Sequence, residues 1–431
     1  MNKKVLLILV FVFPIGVFAQ TFEEQKKADS LSLVDYMNKA KEGVLASKRA
    51  YEDYRKKELE AYEKYKKEMT ELWGDYKDRT VKDWVEYKEN GRTRTAVDFE
   101  KGTARVEIIV DSKEDVEKAK AQMKETLVKT FDDKGTDREF PMPEVKPKSD
   151  GPDIYNPGDM PTYEPPTPKK DTKAKPEPEK EKTPKPEPKP ALEKPVLINQ
   201  LPDNATTPKE KEALAEKISK ENVKTKQVKG ADGKERTVVY VDFDLAKNHV
   251  EKRAKEFQEV AHKFAEEYDL SPALVFAIMH TESHFNPLAK SPANAYGLMQ
   301  VVPTSAGRDA YNRLYKKDGV PTPEYLFKPD KNVQMGSVYL RILASGSFRK
   351  VEDPQTREYM IICAYNTGAG NVSKAYIGSF KIGKAIPKIN AKTPEENYQF
   401  LLENLPYEET RSYLKKVSDR KKIYESWYKE K

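Results

Sequence analysis

The chain has one cysteine, Cys363, among its 431 residues, so it cannot close an internal disulfide. No cysteine stands near the start to carry a lipid anchor, and stability must come from packed cores. Long apolar runs are also missing. Val5 to Phe13 is too short to span a bilayer comfortably and is broken by Pro14 and Gly16. His280 and His284 stand four apart, but an HExxH glutamate and a third ligand are lacking, so no metal site is expected. There is no convincing glycine-rich phosphate loop or serine–histidine–aspartate arrangement, and no cofactor is expected. Charge of one sign is scarce as well: 78 Lys+Arg against 71 Asp+Glu leave +7. That mild excess suits an anionic polymer or membrane surface and gives no argument for nucleic acid.

What is present divides the chain. Lys3 and Lys4, the short apolar run and Val17-Phe18-Ala19 before Gln20 read as an export signal over residues 1–19. The alternative is a retained N-terminal anchor; no other stretch is apolar enough to span. Residues 20–75 carry apolar side chains at helical spacing (Leu33, Met37, Ala40, Val44) and predict one or two amphipathic helices. Arg94–Phe99 and Thr103–Val110 alternate around Glu100-Lys101-Gly102, a hairpin signature. Ser112, with Asp115 three residues on, caps a helix after it. Sixteen of the 30 prolines fall between 141 and 195, mixed with Lys and Glu. Such a stretch cannot bury enough apolar surface to order itself and reads as a disordered linker over 141–204. Thr237–Phe243 reads as a lone strand, which should join the earlier hairpin. The α+β domain is therefore expected at 76–140 and 205–245, split by the insert. From 246 to 431 the pattern is helical.

Within that helical part, Ser271-Pro272 opens a strongly apolar helix that runs to Glu282 and stops at Asn286-Pro287. A carboxylate at a buried helix C-terminus meets low dielectric and the negative end of the helix dipole. Both favour its protonated form, as a general acid requires. Two further patches follow, GLMQ at 297–300 and AYNTGAG at 364–370.

Taken in order, the Glu282-Ser283 pair, Asn286-Pro287, GLMQ, AYNTGAG and the ETR-x-Y element (Glu409, Thr410, Arg411, Tyr413) resemble the soluble lytic transglycosylase (SLT) domain. That family is related to goose-type lysozyme. Residues 70–130 and 205–430 are similar in detail to its membrane-bound murein transglycosylase C group, through WVEYKENGRTRTAVDFEKGTARVEII and VDFDLAKNHVEKRA. The lipid-bearing cysteine of that group is absent, and the proline–lysine insert is additional. The resemblance implies a multidomain protein with a mainly α, lysozyme-like catalytic domain at the C-terminus, preceded by the split α+β domain.

It also implies an exported enzyme of the periplasm or cell envelope that cuts the β-1,4 bond between N-acetylmuramic acid and N-acetylglucosamine without water. The product is a 1,6-anhydro end. Glu282 would be the single catalytic acid and base. Ser291 would contact an N-acetyl group, Gln300 would bind substrate and Met299 would line the groove. Tyr365 would place its hydroxyl near the catalytic carboxyl, Asn366 would shape its loop, and Glu409 would polarise the groove or pair with an arginine. For Ser283 a structural role and a catalytic one weigh equally. Val302 stands where relatives often have methionine. Asp269, Glu267 and Asp309 read as surface charges and Cys363 as a small buried residue. The implied partner is the peptidoglycan glycan strand. The N-terminal domain or proline-rich arm could engage cell-wall machinery. A hydrolytic muramidase and a non-catalytic wall-binding protein are the rival readings.

Overall fold

The computed structural model describes residues 53, 56–135, 194–197, 199–221 and 223–429. The expected export signal, most of 20–55 and the proline-rich stretch to 193 lie outside the described residues. Helix α1 covers 56–73. Then come β1 (Asp83–Lys88), β2 (Thr93–Asp98), β3 (Thr103–Val110), α2 (Glu114–Phe131), α3 (Pro208–Glu221), β4 (Lys224–Lys229) and β5 (Glu235–Asp244).

The strands form one antiparallel sheet in the order β1-β2-β3-β5-β4. The expected hairpin is β2–β3, turned at Gly102, whose φ of 71° is left-handed. The strand from beyond the insert does join it: β5 lies against β3, with Val106 opposite Val241. Alternation then gives the sheet two apolar faces. Val97, Ala104, Val106, Val241 and Phe243 pack with Met123, Leu127 and Phe131 of α2 and Leu214 and Ile218 of α3. Val85, Tyr87, Ile109 and Val238 pack with Met69 and Trp73 of α1. Ser112 Oγ accepts from the Asp115 amide at 3.2 Å ahead of α2. Residues 196–201 fall in the expected linker, yet Leu197 and Leu201 are fully buried in the core.

The helical region holds α4 (His249–Glu256), α5 (Gln258–Glu267), α6 (Pro272–Ser283), α7 (Arg308–Tyr315), α8 (Pro323–Leu326), α9 (Pro329–Ile342), α10 (Pro354–Thr367), α11 (Ala369–Ile377), α12 (Ile382–Asn390), α13 (Pro394–Asn404) and α14 (Glu408–Lys429). The face marked by Val250, Ala254, Phe257, Ala261 and Phe264 is two helices, because the chain bends at Phe257. Helix α6 is apolar on every side and is buried accordingly: Val275 to Met279 have no exposed surface. Val275, Phe276, Ile278 and Met279 each contribute roughly 1.5–3 kcal/mol of burial. Helix α14 lies along α6, with Tyr424 stacked on Phe276 at 5.2 Å between ring centres.

Sheet and helices share one core. The Arg253 guanidinium of α4 lies 4.0 Å over the Phe99 ring and donates to the Phe99 carbonyl at 3.2 Å. Glu100, in the hairpin turn, faces His284 at 3.9 Å, just past the end of α6.

Candidate active site

Helix α6 starts at Pro272 after Ser271 in extended backbone, although the serine side chain makes no capping bond. It ends at Ser283, earlier than Asn286-Pro287, because His284 (φ 50°) and Phe285 (φ 59°) both turn left-handed. Each such non-glycine residue costs about 1 kcal/mol or more and persists only where its surroundings enforce it. They do so here. Ser283 Oγ is shared between the carbonyls of Met279 (3.0 Å) and Leu298 (2.8 Å). Arg420 donates to the His280 carbonyl at 3.1 Å, and the Tyr424 hydroxyl meets His280 Nδ1 at 2.9 Å. Ser283 is wholly buried, so it ties the helix end to the GLMQ loop and presents nothing to a cleft.

Glu282 sits on this braced last turn and keeps partial access to solvent. Its Oε1 accepts from the Tyr413 hydroxyl of α14 at 2.7 Å. Packed protein around the carboxyl raises its pKa; the Tyr413 bond lowers it and the charge of Glu409 raises it, and the balance is about 7. The group is thus open enough to reach a ligand and desolvated enough to hold a proton near neutrality. Among the described residues, Glu409 is the carboxylate whose charge bears on it, and Glu409 is itself exposed.

The GLMQ loop is fixed through its backbone, starting with the Leu298 carbonyl held by Ser283 next to Glu282. Asn332 of α9, fully buried, donates to the carbonyls of Tyr296 and Leu326 (both 2.7 Å) and accepts from the Met299 amide at 2.8 Å. Gly297 has φ 74°, and a Cβ there would fall 2.3 Å from Asn332 Nδ2, so only glycine fits. The Met299 side chain is fully buried against Gly336, leaving its carbonyl to serve the site. That carbonyl accepts from the Tyr365 hydroxyl at 2.8 Å. Tyr365 therefore bridges α10 to the loop; burial and the nearby Glu282 push its hydroxyl well up. The phenol bonded to the acid is Tyr413, 131 residues away in sequence.

Gln300 (φ 47°) is buried, with Nε2 donating to the Ala289 and Gly297 carbonyls at 3.1 and 3.0 Å, while its Oε1 has no partner among the described residues. Ser291 Oγ accepts from the Ala295 amide at 3.1 Å and is partly exposed. Asn366 Oδ1 accepts from Thr410 Oγ1 at 2.7 Å, which joins the AYNTGAG patch to the ETR-x-Y element.

The structure thus brings Glu282, Met299, Tyr365, Asn366 and Glu409 into one connected constellation, with Gln300 beside it and Ser291 on the adjoining turn. Tyr413 and Asn332 are additions that spacing could not mark, although Tyr413 stands in the ETR-x-Y element. Of the other candidates, Asp269 pairs with Arg341 at 3.0 Å, Asp309 is exposed and Cys363 is fully buried. Among the described residues no group of three or more His, Cys, Asp or Glu side chains could hold a metal. The arrangement can deliver one proton to a bound ligand and take one back.

Residues 259–384 match the family model of the transglycosylase SLT domain. Residues 52–140 match that of the N-terminal domain of membrane-bound lytic murein transglycosylase C. Similar curated proteins are membrane-bound lytic murein transglycosylase C of Actinobacillus pleuropneumoniae, 41% identical over 189 residues (44% of this chain, 51% of that protein), and of Serratia proteamaculans, 38% identical over 233 residues (54% and 64%). The chain spans about half to under two thirds of these relatives' length. A solved structure, the 70 kDa soluble lytic transglycosylase of Escherichia coli, overlaps 42% of this chain and 26% of its own at 23% identity and a TM-score of 0.32. In both of its described regions the chain is similar to lytic murein transglycosylases, through an SLT domain and a murein transglycosylase C N-terminal domain.

Proposed function

We propose that this protein is a peptidoglycan lytic transglycosylase acting in the cell envelope. The observation that carries the reading is Glu282, a desolvated yet accessible carboxyl with a pKa raised to about 7 and a phenol as its hydrogen-bond partner. An acid in that state donates its proton to the bridging oxygen of the muramic acid–glucosamine bond, and the bond to C1 breaks. The carboxylate left behind takes the proton of the muramic acid's own C6 hydroxyl as that oxygen bonds to C1. Protons balance and no water enters. A two-carboxylate glycosidase needs a second group to activate water or attack carbon; an internal nucleophile removes that need. It also suits a site in which Glu409 bears on Glu282 through its charge. Ser291, Gln300, Asn366 and the Met299 loop, with Tyr365 and Glu409, are proposed to hold the sugars. An export signal at 1–19 would deliver the enzyme to the envelope. Among the described residues no helix is long and apolar enough to cross a membrane.

The test is digestion of purified sacculi followed by mass spectrometry. The expected products are muropeptides one water lighter than hydrolysed ones, with Glu282→Gln about 10²–10⁴-fold slower. Products of hydrolysed mass would instead identify a muramidase. Sacculus binding without release would identify a wall-binding module.

A further inference from the structure

The described surface exposes few large apolar side chains: Leu59, Phe380, Tyr407 and Ile423. The two aromatics among them, 64% and 53% exposed, both adjoin segments that build the Glu282 site. Phe380 follows α11. Its ring lies on Gly370, where an added Cβ would come within 2.9 Å of Phe380 Cδ1, so the glycine lets the ring settle close to backbone on one side. The ring is otherwise largely exposed, with the Lys374 ammonium over it at 5.6 Å from the ring centre. Gly370 lies one residue before the end of a continuous run, Tyr365 to Asn371, in which every residue is partly exposed while the four residues before it are buried. That strip begins at the phenol beside Glu282, and Asn366 within it is tied to Thr410 at 2.7 Å. Tyr407 stands just ahead of α14, three residues before Thr410, and its carbonyl anchors the helix by accepting from the Arg411 amide at 3.2 Å. Glu409, between them, is the charge felt by Glu282.

An exposed ring on a rigid support offers a π face whose negative centre attracts the positive C–H edges of a flat, uncharged surface. A pyranose ring has such a face; a peptide stem bearing carboxylates does not. Resting on the lytic transglycosylase reading, we propose that Phe380 and Tyr407 are stacking platforms that hold glycan rings of the strand outside the two sugars being parted. They would act as positioning residues for long substrate. The occupant follows from continuity: the exposed strip leads from the acid to Gly370 under Phe380, and Tyr407 sits on the segment bonded to that same strip.

The experiment uses the full-length chain with Phe380→Ala, Tyr407→Ala and their aromatic replacements Phe380→Trp and Tyr407→Trp. KM on long peptide-free strands of alternating N-acetylglucosamine and N-acetylmuramic acid should rise about three- to tenfold for each alanine variant. The kcat should change little, and the tryptophan variants should restore KM. In a Glu282→Gln background the same variants should weaken strand binding by the same factor. An unchanged KM and Kd in both alanine variants, with the parent cleaving normally, overturns the stacking proposal alone. Binding without cleavage by the parent overturns the catalytic reading, while the Kd ratios still decide stacking. No strand binding by the parent overturns both.

Discussion

Two glutamates of this protein are enclosed by protein and have gone opposite ways. Glu107, in the sheet, is fully buried, and burial alone would raise its pKa. Arg94 bonds it at 2.6 Å, and Lys226 (2.9 Å) and Lys77 (3.5 Å) add charge, so it falls to about 2. Glu282, at the end of α6, has a phenol at 2.7 Å and a carboxylate within electrostatic reach, and rises to about 7. Desolvation pushes both in the same direction. What differs is the company: three cations cancel the cost of burial at Glu107, whereas at Glu282 one phenol hydrogen bond offsets only part of it. One carboxyl is spent on joining β2, β3, β4 and the segment after α1; the other is left in a state useful for proton transfer.

Glu107→Gln leaves Arg94 buried under Trp73 without its main counter-charge. It should cost about 3–5 kcal/mol of unfolding free energy at pH 7, measured by urea unfolding. Because the folded-state pKa is depressed, that stability is present above about 4.5 and lost as pH falls towards about 2, so the penalty should shrink on acidification. A cost under ~1 kcal/mol at pH 7 would mean the ion cluster does not hold the sheet.

The smaller effect sharpens the other side. Tyr413 donates to the charged form of Glu282, so Tyr413→Phe should raise the acid's pKa further. In kcat/KM against pH the alkaline limb, set by loss of the Glu282 proton near 7, should move to higher pH. The rate at pH 6 should fall about tenfold, as one orienting hydrogen bond is lost. A limb that moves to lower pH would show that Tyr413 does not favour the carboxylate.

The sequence carries the helical half of this comparison better than the other. The apolar run from Ala273 to Met279 can only be a buried helix, and Glu282 follows at its end, so the acid is legible without coordinates. The hairpin around Gly102 and the return of β5 are legible for a similar reason, since alternation with glycine at the turn leaves few options. Strands β1 and β4 are not. DWVEYK and KTKQVK carry too few apolar residues to announce themselves; β4 is an edge strand kept polar by lysines, and its pairing with β5 supplies what its composition does not. Helix α13 opens with a capping box, Thr393 with Glu396, that is written in the chain but has no strong apolar stripe behind it. Helix α12 contains Pro387, which argues against a helix locally. Within the site, residues on α6 and the loops were readable from motifs. The partner of Glu282 was not, because Tyr413 reaches it only after α14 folds back along α6. The burial of the Met299 side chain depends in the same way on Gly336 across the loop.

The surroundings of Glu282 keep its proton up to a pH of about 7. The direct measurement is the unfolding free energy of the wild type and of Glu282→Gln from pH 5 to pH 8.5. A carboxyl whose folded pKa is raised from 4.5 to about 7 contributes stability that is complete below 4.5 and is lost as pH rises through 7. The variant should therefore gain on the wild type across that range, by up to about 3 kcal/mol. A difference that stays flat from pH 5 to pH 8.5 would mean that this carboxyl ionises like any other in water, and the account of its chemistry would fail.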